Sequence, residues 1–249
     1  MIDQRLERHR DVWRRKKILR VVYQTWYSWI VNGLSTVHGA VLEIGAGSGN
    51  FKEYLPAAIS SDIEACQWVD ICHDAHYLPF REASISNIVM IDVLHHLADP
   101  VGFFHAAFKA LAPGGKIFLI EPFPSPVSGI IYRKFHPEPF IMDVDYFTGA
   151  RDMAKHPWEA NQAIAYLLFF KHAKKMQVAM QEKFRITERR RISVFLYPLS
   201  GGFENRQLIP DALIVVAQLL EVLLAPFRFL MAFRCYVVLE KITAGRDGL

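Results

Sequence analysis

From residue 40 onward, short apolar runs alternate with stretches compatible with helix. Val41-Leu42-Glu43-Ile44, Ala58-Ile59-Ser60, Trp68-Val69-Asp70-Ile71, Ile88-Val89-Met90-Ile91 and Ile117-Phe118-Leu119-Ile120 read as five strands. Several are almost wholly apolar, as strands covered on both faces of a parallel sheet must be. Between the fourth and fifth, Phe103, Phe104, Ala107, Phe108 and Leu111 share one helical stripe, which Pro113-Gly114-Gly115 ends. That is a βαβ unit. Ile192 to Tyr197 and Cys235 to Leu239 read as two further strands, so the pattern predicts an open, doubly wound, mostly parallel α/β sheet of seven strands with helices on both faces.

Ahead of the sheet, Leu19, Val22, Trp26, Trp29 and Ile30 recur at helical spacing and predict one amphipathic helix over about 12–32, stopped by Asn32-Gly33. Residues 122–183 leave the alternation. They begin with Pro122, Pro124 and Pro126, pass through an aromatic segment from Tyr132 to Phe147, and end in a helical stretch from about Trp158 to Lys183. So long an excursion at the end of a strand is usually functional. The expected organisation is an N-terminal segment 1–38, an α/β domain over 39–121 and 184–249 with a helical insertion at 200–233, and a substrate cap at 122–183. Within Ile209–Phe233, Asp211, Gln218, Glu221 and Arg228 form one narrow polar stripe on an otherwise apolar helix interrupted by Pro226.

With 249 residues, 52% of them hydrophobic and 22% charged, the chain is neither disordered nor fibrous. The longest uncharged run, Val21 to Leu42, is too polar to span a bilayer. An N-terminus holding Asp3, Arg5, Glu7, Arg8 and Arg10 lacks an apolar signal core, and Cys66, Cys72 and Cys235 form neither a disulfide framework nor a metal-site spacing. The cytoplasm is therefore the expected location, and no metal is expected. The net charge of +4 is uneven: residues 1–20 carry eight Lys/Arg against three Asp/Glu, while the rest is close to balance. Such an arm is either a solvated helix face or a surface for phosphates of nucleic acid or lipid.

The chemistry starts at Glu43-Ile44-Gly45-Ala46-Gly47-Ser48-Gly49-Asn50, where a strand is expected to open into a glycine-rich turn and then a helix. Glycines serve where backbone bends tightly and a ligand must approach without a Cβ in the way. Asn50 stands where a dinucleotide fingerprint needs its third glycine, which disfavours dinucleotide binding. E-x-G-x-G-x-G after an apolar strand resembles motif I of the class I S-adenosylmethionine-dependent methyltransferases, small-molecule (type 11-like) members included. Further landmarks follow in that family's order: Asp62, His73-Asp74-Ala75-His76-Tyr77-Leu78-Pro79-Phe80, Ile88 to Leu97, and Leu111-Ala112-Pro113-Gly114-Gly115.

The resemblance implies a Rossmann-like methyltransferase fold whose last strand is antiparallel, with S-adenosylmethionine as cofactor. It places the cofactor on Glu43, Gly45, Ala46, Gly47, Gly49, Asn50 and Ile91, with Asp62 at the ribose and Asp74-Ala75 at the adenine. Only about seven residues separate the second and third strands, so the usual crossover helix there is expected to shrink to a turn, with Trp68 as a wall for the adenine. Methyl transfer to a hydroxyl or amine needs alignment and removal of a proton. Candidate bases follow the fourth strand, His95 first, then Asp92 and His96, with His136 of the cap as a further catalytic candidate. His136, Glu138, Asp143 and Asp145 are also placed to bind a polar part of the acceptor, or form a solvated loop.

The expected partner is a small, apolar or amphipathic acceptor, on a monomer or homodimer. A nucleic-acid methyltransferase using the basic arm is the alternative, but Ile91-Asp92-Val93-Leu94 is nothing like the Asn/Asp-Pro-Pro-aromatic sequence of enzymes that methylate base amino groups, so no nucleic acid is expected. A cofactor-binding protein without catalysis is a second alternative. The greasy helix of 209–233 has to bury its apolar faces in its own core, a second subunit, an apolar ligand or a lipid surface. With the basic, tryptophan-bearing N-terminal helix, it raises a membrane-peripheral placement.

Overall fold

Side chains of successive strand residues point to opposite faces. The apolar strands therefore feed two cores. Leu42, Ile44, Ile88, Met90, Ile117, Leu119, Val237 and Leu239 enter one, while Val89, Phe118, Ile120, Tyr236 and Val238 enter the other. The computed structural model describes residues 4–135, 138–148, 155–156, 158–180 and 183–242. Among these, β1 (Ala40–Ile44), β2 (Ile59–Asp62), β3 (Ile71–Cys72), β4 (Ile85–Ile91), β5 (Leu111–Pro122), β6 (Phe184–Ile192) and β7 (Arg234–Lys241) form one sheet in the order β3-β2-β1-β4-β5-β7-β6.

The first five strands are parallel, with Glu43 beside Val89 and Val89 beside Phe118, and β7 runs antiparallel between β5 and β6. This is the expected architecture, antiparallel last strand included. The order reverses between β1 and β4, and at such a switch point the carboxyl ends of parallel strands leave a crevice for ligands.

Helices α1 (Gln4–Arg15) and α2 (Lys17–Gly33) precede the sheet. The single helix expected over 12–32 is thus two, broken at Lys16, whose Nζ donates to the Gly202 and Asn205 carbonyls. α2 covers one face with Ile18, Leu19, Val22, Trp26 and Ile30. α3 (Pro100–Ala110) covers the other with Phe103, Phe104 and Ala107. Asp99 caps it by accepting from the Gly102 N–H at 2.7 Å. α4 (Pro126–Phe135) opens the segment that leaves the alternation, soon after β5. Between Trp158 and Lys183 the helical stretch is shorter than expected: α5 (Ile164–Tyr166) continues as a π-helical turn over Leu167–Lys171, and α6 (Ala173–Ala179) follows.

Three further expectations are corrected. The turn after β1 opens not into a helix but into a 3₁₀ turn, Phe51–Glu53, ahead of which Asn50 donates to Ser48 Oγ at 2.8 Å. The strand expected at Trp68–Ile71 shrinks to Ile71–Cys72, with Trp68 turned onto the glycine loop. The strand expected at 192–197 lies earlier, at Phe184–Ile192. There the chain leaves the sheet at Ser193 (φ 61°) and α7 (Leu196–Ser200) takes up the apolar run. The insertion 209–233 forms α8 (Ile214–Leu223) and α9 (Arg228–Met231), separated at Pro226.

Candidate active site

Three glycines with left-handed backbone make the turn after β1: Gly45 (φ 70°), Gly47 (φ 52°) and Gly49 (φ 75°). Side chains at the outer two would collide with protein, since a Cβ at Gly45 would sit 2.2 Å from Val93 Cγ2 and one at Gly49 2.5 Å from Trp68 Cδ1. Gly47 differs: a Cβ there would meet nothing closer than the Gly45 carbonyl at 3.9 Å. Its open side is backbone that a ligand can approach and a side chain would fill.

Asp62, at the tip of β2, accepts the Gly47 N–H on Oδ2 at 2.8 Å and the Glu64 N–H on Oδ1 at 3.0 Å. A carboxylate has about four acceptor positions. Each oxygen therefore keeps capacity for a ribose hydroxyl. Trp68 donates Nε1–H to the Gly47 carbonyl at 2.7 Å, and the Arg10 guanidinium lies 4.4 Å over its ring. Trp68 thus packs on the turn itself, clamped from α1.

The other landmarks of the turn divide by role. Ala46 is buried, and Asn50 staples the loop from within. Glu43 is buried on the α2 side of the sheet and accepts from Ser60 Oγ at 3.2 Å; burial pushes its carboxyl up to about 8, so it is mostly protonated at neutral pH. Asp74 takes the His76 N–H and Nδ1 on Oδ1, and the next residue, Ala75, is buried. His73, between the Asp62 and Asp74 landmarks, holds a buried Nε2 with no hydrogen-bond partner in the protein. Together, the open backbone at Gly47, the acid at β2 and this orphaned nitrogen fit a polar adenosine-type ligand. Ile91 closes β4, half-buried.

The loop after β4 starts at Asp92 (φ 58°) and packs Val93 against Gly45. Buried Glu121, at the end of β5, organises it. Oε1 accepts the Val93 N–H at 2.9 Å and the Leu94 N–H at 2.7 Å, and Oε2 lies 2.6 Å from His95 Nδ1. His95 is buried as well, with Nε2 3.7 Å from Glu138 Oε2 and its ring centroid 4.2 Å from that of His96. Burial holds the His95 imidazole down to about 4 and lifts the Glu121 carboxyl to about 7. Above pH 7 the pair is therefore a carboxylate accepting Nδ1–H from a neutral imidazole, which leaves Nε2, on the Glu138 side, as the ring's acceptor position. His96, lowered to about 4 by burial, faces the Glu159 carbonyl through Nδ1 at 3.3 Å.

Asp92 is engaged differently. Its Oδ1 lies 2.6 Å from Arg234 Nη1, and buried Arg234 also bonds the Tyr197 hydroxyl and stacks on that ring. Burial raises the Asp92 carboxyl, against the pull of Arg234. Residues of the cap close over His95: the Asn161 N–H donates to its carbonyl at 2.9 Å, and Gln162 Nε2 donates to Glu138 at 2.8 Å. Asp145 is exposed and caps the Phe147 N–H, away from this cluster. His136 lies outside the described residues. Glu121, Arg234 and Tyr197 were missed from sequence. Glu121 is the last residue but one of β5, as Glu43 is of β1, but the two acids lie on opposite faces of the sheet, and no local pattern marks Glu121.

Two sets of potential cation ligands occur among the described residues, each with ligand atoms within 4.8 Å of one another: His95, His96 and Glu138, and Asp92, His95 and Glu121.

A family model described as a methyltransferase domain matches residues 24–182. No curated protein sequence matches the chain. Among solved structures, an S-adenosylmethionine-dependent methyltransferase of Archaeoglobus fulgidus aligns at TM-score 0.53 and 14% identity over 89% of this chain and 94% of its own. One from Thermotoga maritima aligns at TM-score 0.53 and 14% identity, covering 94% and 95%. A Haloferax volcanii protein solved in complex with the Trm112 methyltransferase activator aligns at TM-score 0.51 and 12% identity, covering 98% and 96%. At such identities the likeness is one of fold.

Proposed function

Because this chain belongs to the methyltransferase-domain family and is a class I S-adenosylmethionine-dependent methyltransferase, we propose that it methylates a hydroxyl or amine of a small, apolar or amphipathic acceptor held between the sheet edge and the cap, with His95 as the base. The observation that carries this reading is the buried His95–Glu121 pair at 2.6 Å, set where the loop after β4 touches the glycine turn. When bound, S-adenosylmethionine supplies a sulfonium methyl and leaves as a neutral thioether.

The chain's own residues do the rest. Gly47 and Asp62 hold and orient the nucleoside end, with Asp74 and Ala75 at the base. Glu121 fixes the tautomer of His95 by accepting Nδ1–H, so Nε2 takes the acceptor's proton as the acceptor bonds to the methyl carbon. Glu121 then stabilises the imidazolium. Phe123, Tyr166 and Phe170 form a ring cluster on the cap side, apolar enough to favour an acceptor with hydrocarbon character.

The basic arm supports a small acceptor over nucleic acid. Arg5 lies 4.1 Å over the Trp158 ring, Arg10 covers Trp68, Arg20 donates to the Trp13 carbonyl, and Lys16 caps carbonyls, so four of its cations are used inside the fold.

His95→Ala is expected to lower release of S-adenosylhomocysteine by ~100-fold or more with a panel of phenols, amines and long-chain alcohols. Calorimetry with S-adenosylmethionine should show its affinity unchanged. Full turnover in that variant sinks the base assignment, and cofactor binding without turnover on any acceptor favours a non-catalytic partner. The proximity of His95, His96 and Glu138 favours a second reading, in which a divalent cation on these residues activates the acceptor. Dialysis against a chelator separates the two: turnover survives under the first, and under the second is lost and returns with added Zn²⁺ or Mn²⁺.

A further inference from the structure

Of the polar stripe, Asp211 and Gln218 are exposed, whereas Glu221 of α8 turns onto the protein. Glu221 accepts three backbone N–H groups at the start of α7, from Val194 at 2.8 Å, Phe195 at 2.7 Å and Leu196 at 2.8 Å, and Ile214 and Ala217 are buried on the same side. The outward side is bare and, apart from Gln218, apolar. Val215 (65% exposed), Leu219, Val222 (71%), Leu223, Phe227 and Phe229 (58%) stand out from α8, α9 and the link between them. From Ala212 to Met231 the only ionisable residues are Glu221, spent on α7, and Arg228.

Exposed apolar area on this scale is unusual for a monomeric soluble protein and marks an interaction surface. Residues Asp211–Leu223 and Ala225–Met231 are together apolar enough for a membrane, but they bend by 59°. Among the described residues no single helix is long and apolar enough to cross one.

Beside Phe229 opens a groove of about 370 Å³ lined by Phe170, Arg189, Arg190, Arg191, Arg228 and Phe229. Every ionisable residue in that lining is an arginine. Arg190 pairs with Glu188, Arg189 donates to the Phe169 carbonyl and lies over Phe170, and Arg191 lies over Phe123. Among the described residues Arg189, Arg191 and Arg228 have no carboxylate within ion-pair distance, and Arg228 Nε is buried without an acceptor in the protein. α4, packed against α9, extends the surface with exposed Ile130, Ile131, Arg133 and Lys134. An apolar ridge bordered by arginines matches a layer whose interior is hydrocarbon and whose surface carries phosphates. A two-fold dimer through the same face would instead bring a second set of these arginines to one interface.

We propose that the outward face of α8 and α9, with the arginine groove beside it, docks this protein in the plane of a bilayer that contains anionic phospholipid. The ridge enters the acyl boundary, and Arg191 and Arg228 hold lipid phosphates. This rests on the polarity of α8 and its neighbours, not on the identity of the acceptor.

The test is co-sedimentation of the full chain with vesicles of phosphatidylcholine alone and of an equal mixture of phosphatidylcholine and phosphatidylglycerol. The chain is expected to pellet with the mixed vesicles, to do so less as salt rises, and to stay in the supernatant with phosphatidylcholine alone. Val222→Glu, on the exposed ridge, should abolish pelleting while thermal melting and S-adenosylmethionine affinity are kept. Arg191→Ala with Arg228→Ala should weaken binding to the mixed vesicles by roughly 5-fold per arginine, a second route that leaves the ridge intact. Absence of pelleting with mixed vesicles overturns the proposal. So does equal pelleting on both lipids, or a wild-type dimer by light scattering that Val222→Glu turns to monomer without any vesicle binding.

Discussion

Glu121 holds three protein groups with two oxygens, and this makes its substitution by glutamine informative. Oε1 must remain an acceptor for Val93 and Leu94, so in Glu121→Gln the amide nitrogen is forced towards His95 Nδ1. The imidazole then has to accept there and carry its proton on Nε2, which removes the lone pair that takes the acceptor's proton. We expect turnover in Glu121→Gln to fall ~100-fold or more, with cofactor affinity unchanged. In the wild type, turnover should rise with pH through about 7 as Glu121 ionises, then level off. The sign follows from which form is active: a carboxyl lifted by burial is protonated, and the dyad idle, on the acid side. A pH–rate profile flat between pH 6 and 8 would remove the dyad from the mechanism. His95 was legible from its place after an apolar strand. Glu121 was not, because a lone acid at a strand end carries no local pattern, and only the fold brings the ends of β4 and β5 side by side. Asp92 was legible too, but its partner Arg234, 142 positions along the chain, was not.

Elements that bury both faces announced themselves. β1, β4 and the core of β5 are runs of apolar residues, and their parallel neighbours follow from the βαβ pattern. β6 did not, because Phe184-Arg185-Ile186-Thr187-Glu188-Arg189-Arg190-Arg191-Ile192 is an edge strand whose polar residues outnumber its apolar ones. Its arginines are tolerated by stacking on rings, Arg190 over Trp29 and Tyr236 and Arg191 over Phe123, which propensity cannot anticipate. The greasy run after Ile192 was instead taken by α7, and α7 depends on α8. Glu221 supplies the acceptor for three N–H groups at a helix start that has no cap of its own. Glu221→Ala leaves those donors unpaired and is expected to cost about 2 kcal/mol, read as a lower midpoint in urea with an unchanged slope. No change in midpoint would show that α7 is held by its apolar contacts alone.

At the scale of the molecule, α1 ties the cofactor turn to the cap. Trp13 Nε1 donates to Glu53 at 2.9 Å and Arg10 covers Trp68, so one part of the helix grips the segment that follows the glycines; Arg5, a turn and a half earlier, covers Trp158, whose ring stands edge-on to His96. The sequence showed only a cluster of cations here. Guanidinium groups stacked on indoles are satisfied without an acid, so the excess charge of the arm reflects ring contacts that no charge count reveals. Trp68 in turn closes over Gly49 and bonds the Gly47 carbonyl, so its position sets how tightly the turn is held around a nucleoside. A stacked cation at a partly exposed site contributes ~0.5–1 kcal/mol. Arg10→Ala is therefore expected to raise the dissociation constant for S-adenosylmethionine by about 2- to 5-fold, since each 1.4 kcal/mol is tenfold. The change should appear mainly as faster release, because α1 lies on the outside of the turn and restrains its opening rather than touching the ligand. Stopped-flow indole fluorescence during cofactor displacement measures that rate. An unaltered off-rate, with melting also unchanged, would show that the turn holds its ligand without α1.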